Sequence, residues 1–202
     1  MTSLVAAFSS PELELLKHPF FLLLCTVLIS GLLLPWFARW REDGRAELAL
    51  KTELVSAMSE CTMVLMVRIE AFVARAGGPE PPRKVNEQTR EAHAAMNTAF
   101  HDFAVRSAVI GTKLEAYVQE GPLPLQWSAF RQVVTDFYAC HGQAPDEFKK
   151  RLSRRVEELR DQLKLKGRTD DSWEQVVNQV LEIKAALIRK VLAESFRLQI
   201  RR

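Results

Sequence analysis

Cysteine and histidine are scarce. The three cysteines, Cys25, Cys61 and Cys140, make an odd set with no paired C-x-x-C spacing, which excludes a disulfide framework or a thiolate zinc site and suits a reducing compartment. Of four histidines, His93 and His101 stand eight residues apart, two helical turns, too far to share one metal without ligands from elsewhere. No H-E-x-x-H and no glycine-rich phosphate loop occurs. Cys140-His141 sets a thiol beside an imidazole, but adjacent helical residues diverge by about 100° and no third group orients the pair. Glu91, His93, His101 and Asp102 read as a solvated helix face. The expectation is therefore no catalytic residue, no metal, no cofactor and no enzyme.

Charge of one sign is also lacking. The formal net charge is +3, from 28 basic and 25 acidic residues, far from the basic stripe of a nucleic-acid binder. The aromatics recur at core spacing instead of interleaving with basic residues. Strand-like alternation is absent, which leaves an all-α fold.

What is present is one long uncharged run, FFLLLCTVLISGLLLPWFA over residues 20–38. At 1.5 Å per helical residue it covers close to the ~30 Å of bilayer hydrocarbon. It exceeds the apolar core of a cleaved signal peptide, and bulky Trp36 and Phe37 stand where a small-residue cleavage site is needed. The run predicts a retained transmembrane helix. Only Lys17 precedes it, whereas Arg39, Arg41, Arg45 and Lys51 follow, so the C-terminal side is expected to be cytoplasmic and the N-terminus outside. Trp36, Arg39, Trp40 and Arg41 form a collar suited to the inner headgroup boundary. Thr26, Ser30 and Gly31 resemble the small-residue pattern of helix contacts within membranes, and are candidates for span–span contact or for a pore lining. Proline at 19 and at 35 disfavours straight helix at the two ends of the run.

The rest parses into helices. Residues 1–18 form a short extracytoplasmic segment, 19–38 the span, 39–76 a juxtamembrane helix and 77–202 a cytoplasmic bundle, about four to five helices in all after the span. Leu50, Leu54, Met58, Cys61, Leu65, Ile69 and Phe72 recur at three and four, the helical period. Around residues 61–67 apolar side chains surround the axis, which predicts burial on several sides, by bundle partners or by other subunits. Gly77-Gly78-Pro79 ends this helix. A helix over 85–118 carries Ala92, Met96, Ala99, Phe103, Ile110, Leu114 and Tyr117 on one side, weakened at Gly111 by about 1 kcal/mol relative to alanine. A shorter one presents Trp127, Phe130, Val134 and Phe137. The next has Phe148, Leu152, Val156, Leu159 and Leu163, stopping near Lys164, Lys166 and Gly167, cations and a glycine suited to a helix end. The last, capped by Thr169 or Asp171, has Trp173, Val177, Val180, Leu187 and Val191 and is expected to run nearly to Arg202.

Lys149, Lys150, Arg151, Arg154 and Arg155 crowd a helix start, where the macrodipole favours anions. They are a candidate contact for anionic lipid; the alternative is neutralisation by Asp146, Glu147, Glu157 and Glu158.

His18-Pro19, Gly31-Leu32-Leu33-Leu34-Pro35-Trp36, Arg39-Trp40, Lys51-Thr52-Glu53-Leu54-Val55-Ser56 and Ser59-Glu60 together resemble a group of uncharacterised small single-span bacterial membrane proteins with a helical cytoplasmic part. The resemblance covers about the first third of the chain and implies a single-pass protein of the bacterial inner membrane; it carries no functional residue. Three uses of the arrangement follow. The leading one is a homo-oligomeric, membrane-anchored scaffold or interaction protein, with the lipid bilayer, further copies of itself and an unidentified protein as partners, and no nucleic acid. The second is an oligomeric single-span pore with a cytoplasmic helical gate. The third is a tethered sensor or enzyme with a pocket around Trp127, Cys140 and His141.

Overall fold

The computed structural model describes residues 28, 31, 33–76, 86–118, 121–140, 146–165 and 173–196. Within them are five α-helices and no strand: α1 Leu34–Ala76, α2 Glu87–Tyr117, α3 Leu123–Ala139, α4 Asp146–Gln162 and α5 Trp173–Ala193. The chain divides into two compact units, Met1–Leu48 and Ala49–Arg202. Among the described residues no helix is long and apolar enough to cross a membrane. The run expected to do so lies mostly outside them.

In the first unit, Gly31 and Leu33 adopt the wide π-helical turn just ahead of Pro35. Pro35 has no N–H to give the carbonyl of Gly31, and its ring crowds that carbonyl, so the turn opens. The expected disturbance at this proline takes that form.

In the second unit the helix ends follow local chemistry. Asn86 caps α2, its side-chain oxygen accepting the Thr89 N–H at 2.7 Å, with Glu87 at the positive end of the dipole. After α2 the chain passes through Gly121 at φ +148°, a region that other residues rarely enter. Pro124 sits in the first turn of α3, where its missing N–H costs nothing. α4 stops at Gln162, just short of Lys164, the first of the residues expected to end it. Leu165 N–H donates to Arg160 O at 2.9 Å and Lys164 N–H to Asp161 O at 3.0 Å, with Lys164 at φ 56°. This is a Schellman stop with a lysine in the left-handed position that glycine usually takes. α5 ends at Ala193, also short of the expected run toward Arg202, and Phe196 lies buried beyond the helix end. The expected caps at Thr169 and Asp171 lie outside the described residues.

Three consecutive antiparallel pairs organise the bundle. α1 meets α2 through Lys113 with Glu53, Arg106 with Glu60 at 2.9 Å, and the rings of Phe72 and His93 at 5.5 Å. α2 meets α3 through Trp127 Nε1 donating to Ser107 O at 2.9 Å, Tyr138 Oη donating to Asn97 Oδ1 at 2.7 Å, and a Phe100–Tyr138 stack at 3.8 Å. α3 meets α4 through Asp136 with Arg155 and Gln126 Nε2 with Gln162 O at 3.4 Å. α5 packs on α3 and α4, and Lys51 Nζ donates to its Leu192 O at 3.3 Å.

α3 is the hub, packed against α2, α4 and α5. Its Trp127, Phe130, Val134 and Phe137 are fully enclosed, as is Phe103 of α2, each large side chain contributing about 1.5–3 kcal/mol. The described side chains of the periodic stripes of α1, α2, α4 and α5 are likewise buried or half-buried; those of Phe148 and Trp173 lie outside the description. One expectation fails within the chain: Met63, Val64 and Val67, predicted to be covered, are 40, 44 and 54% exposed. α1 turns only one side to its neighbours, so the opposite side stays bare whatever its hydropathy.

Candidate functional site

The residues singled out in the sequence do not converge. Thr26 and Ser30 lie outside the described residues, and Gly31 is exposed with nothing within 4 Å of where a Cβ would stand. Of the collar, Trp36 and Trp40 are 60 and 65% exposed. Phe37 joins them, its ring 5.2 Å from Trp36 and 6.5 Å from Trp40. Arg41 is exposed on the same helix; the side chain of Arg39 lies outside the description.

The basic run is split. Lys150 and Arg154 are exposed, the side chain of Lys149 is outside the description, and Arg155 and Arg151 turn to one carboxylate, Asp136 of α3. Arg155 Nη1 donates to Asp136 Oδ2, Arg151 Nη2 stands 3.9 Å from Oδ1, and the Asp136 side chain is 7% exposed. Neutralisation by acids near α4's start or along α4 was the expected alternative; the partner found is a buried acid on another helix, 19 residues before Arg155 in sequence. Deeper in α4, Arg160 is enclosed and paired with Glu182 at 2.6 Å. Such charge-assisted bonds offset the loss of hydration that burial imposes.

The two described histidines, His93 and His101, belong to the surface. His93 is exposed beside Asn97 at 3.4 Å, His101 is exposed against Phe100, and no group of three metal-capable side chains occurs among the described residues. Cys61 is buried, which raises its thiol pKa above the ordinary 9.0 and disfavours the reactive thiolate. Cys140 is buried at the end of α3. Trp127 is thirteen residues earlier on that helix, roughly 20 Å away at 1.5 Å per residue, so the expected shared pocket around Trp127 and Cys140 does not form. His141 lies outside the described residues.

Two arrangements were not anticipated. The first is the outer side of the α1–α2 pair. Met63, Val64 and Val67 project from α1, while Ala94, Thr98, His101, Val105, Val109 and Thr112 line up along the outer side of α2. The hydroxyls of Thr98 and Thr112 donate to Ala94 O and Ala108 O at 3.0 and 3.2 Å, so they satisfy their own helix and leave an essentially apolar strip. Beside it, Arg106 holds both Glu60 at 2.9 Å and Asp102 at 3.0 Å, and these two carboxylates raise its pKa further. The periodicity that marks a buried stripe masked this second one, because its alanines and threonines read as neutral surface.

The second is a cavity of about 190 Å³ between α2 and α3, lined by Phe103, Ser107, Ser128, Arg131, Gln132 and Thr135. Arg131 Nε donates to Ser107 Oγ at 3.1 Å, and Thr135 Oγ1 donates to Arg131 O at 2.8 Å. A wider groove of about 440 Å³ between α1 and α2 combines Arg68 and Arg75 with Glu91 and Gln88.

Comparison with known proteins finds no matching family model, no similar characterised protein and no similar solved structure.

Proposed function

We propose that this chain is a membrane-anchored, homo-oligomeric helical scaffold, held by the span at residues 19–38 with the bundle on the cytoplasmic side of a bacterial inner membrane. The observation that carries the association is the uncharged outer strip of α1 and α2. Val105 and Val109 are 66 and 52% exposed beside the bare Met63, Val64 and Val67, while the outer side of α4 carries Lys150, Arg154, Glu157 and Glu158. Bare apolar side chains on two neighbouring helices, flanking the Glu60–Arg106–Asp102 ion cluster, favour a contact surface. An anchor raises the local concentration of copies in the membrane plane, so a modest strip suffices for association. The exposed Trp36, Phe37 and Trp40 and the exposed Arg41 support a headgroup collar.

Two experiments test the parts separately. After alkaline carbonate washing of membranes the chain should remain in the pellet, and a reporter fused after Arg202 should be active on the cytoplasmic side; release into the wash or periplasmic activity overturns the anchor. Val67→Cys should give a disulfide-linked dimer on mild oxidation in membranes, whereas exposed Leu125→Cys on α3 should not. Equal cross-linking at both positions overturns the assigned face.

A further inference from the structure

We propose that the cavity between α2 and α3 binds a small oxyanion, a carboxylate or a phosphate group, with the Arg131 guanidinium as the group that recognises it. The other covered or half-covered arginines of the bundle have carboxylates: Arg106 has Glu60, Arg155 has Asp136 and Arg160 has Glu182. Among the described residues Arg131 meets none. Its one side-chain bond is Nε to Ser107 Oγ at 3.1 Å. The Ser107 proton is directed to Ala104 O at 3.2 Å, so the serine oxygen is free to accept, and this bond fixes the plane of the guanidinium.

The terminal nitrogens are left as the unused donors. Nη1 stands 3.8 Å from the position a Cβ would take on Gly111, one turn of α2 beyond Ser107, so that end of the guanidinium lies against α2 at the edge of the cavity that the Arg131 side chain lines. A half-covered guanidinium has lost part of its hydration without gaining a counter-charge, and a planar or tetrahedral oxyanion supplies two acceptors to the fork. Ser128 and Gln132 add neutral polar groups, and Phe103 an apolar wall. No carboxylate lines the cavity to compete with an anion. A volume of about 190 Å³ holds an acid group and a few waters at ~30 Å³ each. It is below the ~300 Å³ at which pockets begin to enclose drug-sized ligands, so the ligand is a small acid or the acidic end of a larger molecule.

The test is a calorimetric titration of the full-length chain in non-ionic detergent with sodium acetate and with sodium phosphate, at constant ionic strength set by chloride. One saturable site per chain is expected for at least one of the two anions. Arg131→Gln should weaken it at least tenfold. Ser128→Glu keeps the guanidinium and places a carboxylate one turn before it on α3; it should also weaken binding at least tenfold while the thermal midpoint is unchanged or raised, which separates loss of the site from loss of the fold. Tighter acetate assigns a carboxylate ligand and tighter phosphate a phosphate-bearing one. Absence of saturable binding by both anions, or affinity retained in both variants, overturns the proposal.

Discussion

α3 and the outer side of α2 are neighbours in one bundle and treat apolar surface in opposite ways. α3 encloses Trp127, Phe130, Val134 and Phe137 among α2, α4 and α5, so its hydropathy is fully accounted for inside the chain. The outer side of α2 leaves Val105 and Val109 bare beside the equally bare Met63, Val64 and Val67 of α1. The difference teaches that periodicity identifies a face that wants covering, but only the structure tells whether the chain itself covers it.

The sharpest break of the comparison is at the hub. Trp127→Ala removes a fully enclosed indole and its bond to Ser107 O; it should cost about 3–5 kcal/mol, read as a fall in the denaturant midpoint. Next is Asp136→Ala, which strips Arg155 and Arg151 of their shared carboxylate and should cost about 2 kcal/mol, because Arg155 is left half-covered and unpaired. In a double-mutant cycle Arg155→Met should recover part of that loss; strict additivity of the two changes would show that the pair does not couple.

How much of this was legible in the sequence differs between the same two regions. The stripes of α1 to α5 were readable because a three-and-four spacing of large apolar residues has one cheap solution, burial against other helices. The end of α1 at Ala76 and the Gly121-Pro122 break before α3 were readable because glycine and proline act within a few residues. The stop of α4 near Lys164 was readable from the cations and glycine there, but not the left-handed turn at Lys164 itself, which its side chain disfavours. Asp136 as the partner of Arg155 was not readable either, for it lies 19 residues away in sequence and only the α3–α4 packing brings the two together. Arg131 gave no signal at all, because its distinction is that no carboxylate among the described residues pairs with it in space.

Smaller changes sharpen the picture. The Thr62 hydroxyl is sealed from solvent and has no hydrogen-bond acceptor among the described residues, so Thr62→Val should raise stability by about 1 kcal/mol. Gly111 lies in the middle of α2, and an added Cβ would stand 3.6 Å from Trp127 Cδ1, an ordinary contact; Gly111→Ala should therefore stabilise by about 0.5–1 kcal/mol through helix propensity. A loss instead would mean that the α2–α3 approach at this point has no room to spare.

The smallest effect concerns alkaline pH. Burial raises the Cys61 thiol above 9.0 and the Tyr138 phenol above 10.0, so the unfolded chain releases these protons first. Folded protein then binds more protons than unfolded, and the two groups' contribution to stability is intact below about pH 9 and declines above it. Burial lowers Lys184 below its ordinary 10.5, which acts the other way: the unfolded chain holds that proton longer, so stability rises with pH up to about 10.5. In a stability–pH curve measured by denaturant titration, Tyr138→Phe should make the alkaline decline shallower and Lys184→Met should remove the opposing rise.

The central claim is that the bare strip of α1 and α2 is covered by another copy. The most direct test is the subunit count of the full-length chain in mild non-ionic detergent by native mass measurement, for the native protein and for Val67→Glu with Val105→Glu. The account predicts two or more copies for the native chain and one for the variant, with stability altered by no more than about 0.5 kcal/mol at each exposed site. A native chain that is monomeric, or a variant that keeps the native count, would contradict it.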